Sequence, residues 1–146
     1  MRISENGKAF IRNEEGEVLK VYADQIGIPT AGIGHVVKGM KIGEKITKQQ
    51  SRDWFASDIK QFEDGVTMAV KTPLEQHQFD ALVSFSFNVG NGNFLSSTML
   101  KLLNANQFLE AAQQFPRWNK AGGRVLPVLV RRRARERKLF LEGVYA

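Results

Sequence analysis

The sequence contains no cysteine, which removes disulfide staples and thiolate metal ligands together. Its two histidines, His35 and His77, are too few for a metal site of three or four ligands, so the residues point away from metal catalysis. Proline is scarce, at four residues, and no apolar run approaches the roughly 20 residues a membrane span needs. The opening stretch MRISENGKAFIRNEEGE is polar and acidic where an export signal needs an apolar core, so the expectation is folding in the cytoplasm. Internal repeats, low-complexity linkers, a nucleophile elbow and a phosphate-cradling loop are all missing; Gly32-Ile33-Gly34 has neither a third glycine nor a following lysine.

What remains is one ordinary domain of 146 residues, 42% hydrophobic and 25% charged, long enough to bury most of its unfolded-chain surface. Lysine and arginine number 21 against 15 acids, a net charge of +6. Such a surface attracts polyanions, whether nucleic acid, anionic membrane or acidic cell-wall polymer, and charge alone does not choose among them. Much of the excess lies in Arg131, Arg132, Arg133, Arg135, Arg137 and Lys138. Val128, Leu129, Leu139, Phe140 and Leu141 anchor that segment to a core, and Glu136 interrupts the charge, so a solvated helix face is expected there.

Periodicity predicts an α+β chain. A first helix runs from about Ile3 to Glu15 and stops at Gly16. Residues 18 to 46 are rich in glycine and alternate rather than recur at helical spacing, which predicts a small twisted β lobe over about 1–46 together with the first helix. Thr47 with Gln50 is a capping pattern opening a long linking helix, about 48–70, whose Phe55, Ile59, Phe62, Val66 and Ala69 share one face. A second start, Thr72-Pro73-Leu74-Glu75, precedes a helix that is apolar all round from Phe79 to Val89 and therefore central to a larger helical lobe over about 72–146. Shorter helices are expected near Ser97–Leu103 and Gln107–Phe115, then a glycine loop at Gly122-Gly123, then a last helix from about Val128 to Leu141.

The chemistry gathers in EGEVLKVYADQIGIPTAGIGH, from Glu15 to His35. The C-terminal end of a helix carries partial negative charge, which disfavours an ionised Glu15 and favours the protonated form a general acid must hold. Glu14 and Glu17 compete for the role, and periodicity does not eliminate them. Asp24 reads equally as a second carboxylate or as a turn former, and Thr30 as a water-holding hydroxyl or a plain strand residue. Two carboxyls on different elements, roughly 6.5–9.5 Å apart, leave room for a water in an inverting glycosidase. His35 is expected to hydrogen-bond inside the fold and hold the glycine turn. Trp118, between Arg117 and Asn119, is either core or a platform for a sugar ring.

Glu15-Gly16, Leu19-Lys20, Tyr22, Asp24, Gly27, Thr30 and Gly32-Ile33-Gly34-His35 together resemble the active-site stretch of phage-type lysozymes, glycoside hydrolase family 24. The resemblance continues, in order, through Gln78–Leu82, Phe87–Gly90, Trp118–Gly123, Leu126-Pro127 and Arg131–Arg133. It implies a lysozyme-like α+β fold with the cleft between the lobes, and a muramidase cutting the β-1,4 bond between N-acetylmuramic acid and N-acetylglucosamine. By the motif, Glu15 is the general acid, Asp24 the second carboxylate and Thr30 the residue that positions the water. Gly32, Gly34 and His35 shape the site, and Phe87, Asn88, Ser97 and Gln114 match substrate positions. No cofactor and no metal are implied. The implied partner of a monomer is the peptidoglycan glycan strand rather than nucleic acid or an inserted membrane.

The same resemblance implies an endolysin that waits in the host cytoplasm for a holin and acts in the periplasm. A lytic transglycosylase and a non-catalytic basic binding domain are the competing readings. Two positions depart from the pattern: Ala31, where isoleucine is common, and Val128, where glycine is frequent; both bear on stability.

Overall fold

The computed structural model describes all residues, 1–146, and divides them into two compact units: residues 11–61, and residues 1–10 with 62–146. The chain order is α1 (Glu5–Glu15), β1 (Val18–Ala23), β2 (Pro29–Gly32), β3 (His35–Val36), α2 (Lys48–Ala69), α3 (Gln76–Val89), α4 (Asn91–Leu95), α5 (Thr98–Asn104) and α6 (Phe108–Ala112). A 3₁₀ turn (Phe115–Arg117), β4 (Lys120–Ala121), β5 (Arg124–Val125) and α7 (Pro127–Glu142) complete it. The α+β class expected from periodicity is what forms.

In the unit 11–61, β1, β2 and β3 make an antiparallel sheet in that order. Val18 pairs with Gly32 and Tyr22 with Thr30, and the register shifts between them. The free edge of β1 does not stay open. Val21 N–H donates to Glu44 O at 2.8 Å, Gly43 N–H to Val21 O at 2.8 Å and Ile46 N–H to Leu19 O at 3.1 Å, so residues 43–46 cover it. Behind the sheet, Val21, Ala31, Val37 and Ile46 form a small core with Met40 and Trp54 packed on it. Thr47 caps α2 as its sequence predicts, accepting from Gln50 N–H at 3.0 Å.

In the other unit α3 is the central helix, buried on every side from Phe79 to Ser86. Its main neighbour is α7. Phe85 meets Phe115 edge-on at 5.4 Å, and Phe115 meets Phe140 at 5.9 Å. Asp80, buried within α3, ties the chain ends down. It accepts from Ser4 N–H at 3.1 Å, from the Ser4 hydroxyl, from Gln76 Nε2 at 2.8 Å and from the Tyr145 hydroxyl at 2.6 Å.

Local signals misplaced several boundaries. Helix α1 begins at Glu5 because Ser4 Oγ takes the Gly7 N–H at 3.0 Å, one turn into the helix. Helix α3 begins at Gln76 and is capped by Glu75, whose N–H donates to Gln78 Oε1 at 2.8 Å; Thr72, the expected cap, spends its hydroxyl on Leu103 O at 2.9 Å. The glycines after Val89 give way to the short helix α4, and the Gly122-Gly123 loop is the tip of the β4–β5 hairpin. Pro116 falls within the 3₁₀ turn, so the helix expected up to Phe115 ends at Ala112.

The two departures also resolve. Ala31 is fully buried in the small core. Val128 lies exposed in the first turn of α7 and is not among the residues with positive φ, so no strain attaches to it.

Candidate active site

Glu15 is the last residue of α1. Gly16 stops the helix with φ +76°, its N–H returning to Arg12 O at 2.8 Å, a left-handed terminus that glycine adopts without steric cost. The half-buried Glu15 side chain lies against the β2–β3 turn: a Cβ built on Gly34 would stand 3.9 Å from its Oε1. Gly32, in the same turn, faces Ser51 Oγ, which a Cβ there would meet at 3.0 Å. The Gly-Ile-Gly turn is thus close-packed on Ser51 at Gly32 and within ordinary contact distance of the Glu15 carboxylate at Gly34.

Glu17 is removed from competition as the acid. Ser51 Oγ donates to its Oε2 at 2.6 Å, and Arg52 Nε and Nη2 reach Oε2 at 3.0 Å and Oε1 at 3.2 Å. The hydrogen bond from Arg52 above all holds the Glu17 carboxyl below its ordinary value, ionised where an acid must be protonated. Nothing in the sequence marked this pair, whose partners stand 34 and 35 residues apart.

Asp24 opens the β1–β2 loop. Its Oδ1 accepts from Ile26 N–H at 2.9 Å and Ile28 N–H at 2.8 Å, so it does form a turn, while no protein hydrogen bond engages Oδ2. Thr30, 5% exposed, donates its hydroxyl to Ile28 O at 2.9 Å. With its proton so used, Thr30 Oγ1 can serve a water only as acceptor.

His35 stacks on Trp54 at 4.5 Å between centroids, and its Nδ1 lies 2.7 Å from Asp58 Oδ2. It hydrogen-bonds inside the fold, as expected, but to α2 and not to the glycine turn.

The remaining sequence-derived positions belong to the other unit. Phe87 is half-buried with its ring edge on Phe62 at 5.2 Å. Asn88, exposed at the end of α3, accepts through Oδ1 from Arg133 Nη2 at 2.7 Å. Ser97 is 4% exposed and caps α5, accepting from Leu100 N–H at 3.1 Å and donating to Phe94 O at 2.7 Å. Gln114, Thr98, Arg117 and Trp118 line an open pocket of about 310 Å³. Trp118 is edge-on to Phe85 at 5.5 Å, as the core reading expects, and its other side lines this pocket.

The basic helix differs most from expectation. Arg132, Arg133 and Glu136 are buried, not solvated, at 5%, 0% and 0% exposure. Glu136 Oε2 takes Arg132 Nε at 3.1 Å and Ser84 Oγ at 2.6 Å, while its Oε1 pairs with Arg133 Nε at 2.8 Å. Burial pushes the Glu136 carboxyl upward against the pull of Arg133, Arg132 and Ser84. The i,i+3 and i,i+4 spacing of these charges beside Leu139 and Phe140 was the signal that could have shown it.

The family model described as Phage lysozyme matches residues 12–136. The endolysin of Salmonella phage P22 is 43% identical over 97% of this chain and 99% of its own length. That of Bacillus phage PZA is 44% identical over 98% of this chain but 56% of its own, so the chain spans about half of that relative. The solved structure of an endolysin from Escherichia coli O157:H7 phage FAHEc1 superposes with TM-score 0.93 at 34% identity, over 100% of this chain and 97% of its own. With the match running from Arg12 to Glu136 and the P22 endolysin aligned nearly end to end, the chain belongs to the phage lysozyme family.

Proposed function

We propose that this protein is a muramidase that hydrolyses the β-1,4 bond between N-acetylmuramic acid and N-acetylglucosamine in peptidoglycan, degrading the bacterial cell wall in phage lysis. Membership of the phage lysozyme family supports a peptidoglycan hydrolase. The single observation that carries the finer reading is the pairing of Asp24 and Thr30 through one residue, Ile28, in the unit that also holds Glu15 against the glycine turn.

In this mechanism Glu15 gives its proton to the glycosidic oxygen as the bond to the anomeric carbon breaks. A water donates one proton to Thr30 Oγ1, whose own proton is committed to Ile28 O, and the other to the free Asp24 Oδ2. That leaves the water's lone pair for the anomeric carbon, and Asp24 receives the proton as attack proceeds. Inversion follows, so the fresh product of a β-linkage carries the α-anomer. A lytic transglycosylase needs the acid but no water, so Asp24 and Thr30 favour hydrolysis. Mass spectrometry separates the two: reducing ends support hydrolysis and 1,6-anhydromuramic ends refute it. A binding module without chemistry would release neither.

No helix is long and apolar enough to cross a membrane. Release through a holin is the route we attach to this function. Lysis on expression without a holin would replace it.

A further inference from the structure

Glu17 lies two residues past Glu15, beyond the glycine that ends α1, and three hydrogen bonds tie its carboxylate to α2. Ser51 Oγ donates to Oε2 at 2.6 Å, and the Arg52 fork reaches Oε2 at 3.0 Å and Oε1 at 3.2 Å. Ser51 has no exposure, and it also packs against the glycine turn. A Cβ on Gly32 would meet its Oγ at 3.0 Å, its Cβ at 3.4 Å and its Cα at 3.5 Å. Two residues on, Gly34 brings the turn to Glu15, whose Oε1 would stand 3.9 Å from a Cβ there. These contacts close a ring within the unit 11–61. Glu15 leads to Glu17 along the chain, Glu17 to Ser51 by hydrogen bond, Ser51 to Gly32 by packing, and Gly32 through Gly34 back to Glu15. The helix end that carries the Glu15 carboxyl and the turn beside it are thus both seated on one buried serine.

We propose that Ser51, with Glu17 and Arg52, is a positioning residue that fixes where the Glu15 carboxyl stands, and so sets the rate of proton transfer without touching substrate. The proposal rests on the reading of Glu15 as the acid given above. A general acid acts only within about 2.6–3.2 Å of the oxygen it protonates, and a misplacement of about 1 Å costs on the order of 10²-fold. Gly16, between Glu15 and Glu17, brings no side-chain contact of its own, so the grip on this segment falls to Glu17. A partly exposed ion pair adds little to stability. What a bidentate fork adds is direction.

The test takes the full chain as wild type, Ser51→Ala, Arg52→Lys, Glu15→Gln and the double variant Ser51→Ala with Glu15→Gln. Each acts on soluble peptidoglycan fragments, with kcat and KM separated by counting new reducing ends and folding checked by thermal melting. Ser51→Ala should lower kcat by about tenfold or more and leave KM within about twofold, because it shifts the acid and no binding group. Arg52→Lys keeps the charge and loses the fork, so its kcat should fall by about threefold or more at unchanged KM. Added to Glu15→Gln, Ser51→Ala should change the residual rate by less than about twofold, since no acid is left to aim. A serine that served only stability would act alike in both backgrounds.

A folded Ser51→Ala with wild-type kcat, a loss confined to KM, or an equal loss in the Glu15→Gln background overturns the proposal. If Ser51→Ala does not fold, Arg52→Lys decides alone, and an unchanged kcat there overturns it. Glu15→Gln at the wild-type rate ends the acid reading and this proposal together. An inactive Glu15→Gln beside an unaffected Ser51→Ala ends this proposal alone.

Discussion

Asp24 and Thr30 are joined through Ile28, whose N–H is held by Asp24 Oδ1 at 2.8 Å and whose carbonyl takes the Thr30 hydroxyl at 2.9 Å. The loop therefore fixes a carboxylate oxygen and a hydroxyl lone pair together, although the hairpin tip between them is exposed. Replacing Thr30 with Val keeps the shape and removes the acceptor that the proposed mechanism gives the water. The expected result is a fall in kcat of about 10²-fold or more with little change in KM. The Ile28 carbonyl loses one of its two donors and keeps the Asp24 N–H at 3.0 Å, so the cost to stability is about 1 kcal/mol or less, which thermal melting checks.

The Glu17–Arg52 pair gives stability an acid limb. The folded carboxyl of Glu17 lies below its ordinary value, so its contribution is present above the unfolded value and is lost as pH falls through the folded one. Because Arg52 is partly exposed, the effect is small, on the order of 0.5–1 kcal/mol. Glu17→Gln should be less stable than wild type at pH 7 and converge with it as pH falls below about 4. Denaturant unfolding across that range measures the convergence, and curves that stay parallel would refute it.

Tyr145 gives an alkaline limb. Burial, then its hydrogen bond to Asp80, pushes its hydroxyl up to about 12. A raised folded value means the contribution is complete below the unfolded value of about 10 and is lost as pH rises towards 12. Tyr145→Phe should be less stable than wild type at pH 8, and the gap should close over that alkaline range.

Glu136 holds two buried guanidiniums and Ser84. Glu136→Ala removes this carboxylate from both charges and should destabilise by about 3–5 kcal/mol. Denaturant unfolding reads it, and a loss below about 1 kcal/mol would show that the cluster relaxes to solvent.

What the chain made readable in advance was whatever short-range chemistry decides. Gly16 ends α1, Thr47 caps α2 and the Gly32–Gly34 turn uses its glycines for positive φ, and each of these needs only neighbouring residues. The misplaced cap at Thr72 shows the limit, because a carbonyl 31 residues away claimed its hydroxyl. The burial of Arg133 depends on Phe85, Asn88 and Glu136, two of which lie on another helix, so charge density alone read as a solvated face. Strands of two residues, as in β4 and β5, carry too little alternation to signal themselves. That Glu17 is held by Ser51 and Arg52 likewise shows only with both partners in place.

The most direct test sets wild type beside Glu15→Gln on outer-membrane-permeabilised Gram-negative cells, with new reducing ends counted and folding checked by circular dichroism. Wild type should clear the suspension and release reducing ends, while the folded Glu15→Gln variant should lose this by about 10³-fold or more, its acid gone and its shape kept. A folded variant that lyses cells at the wild-type rate would contradict Glu15 as the proton donor and the mechanism built on it.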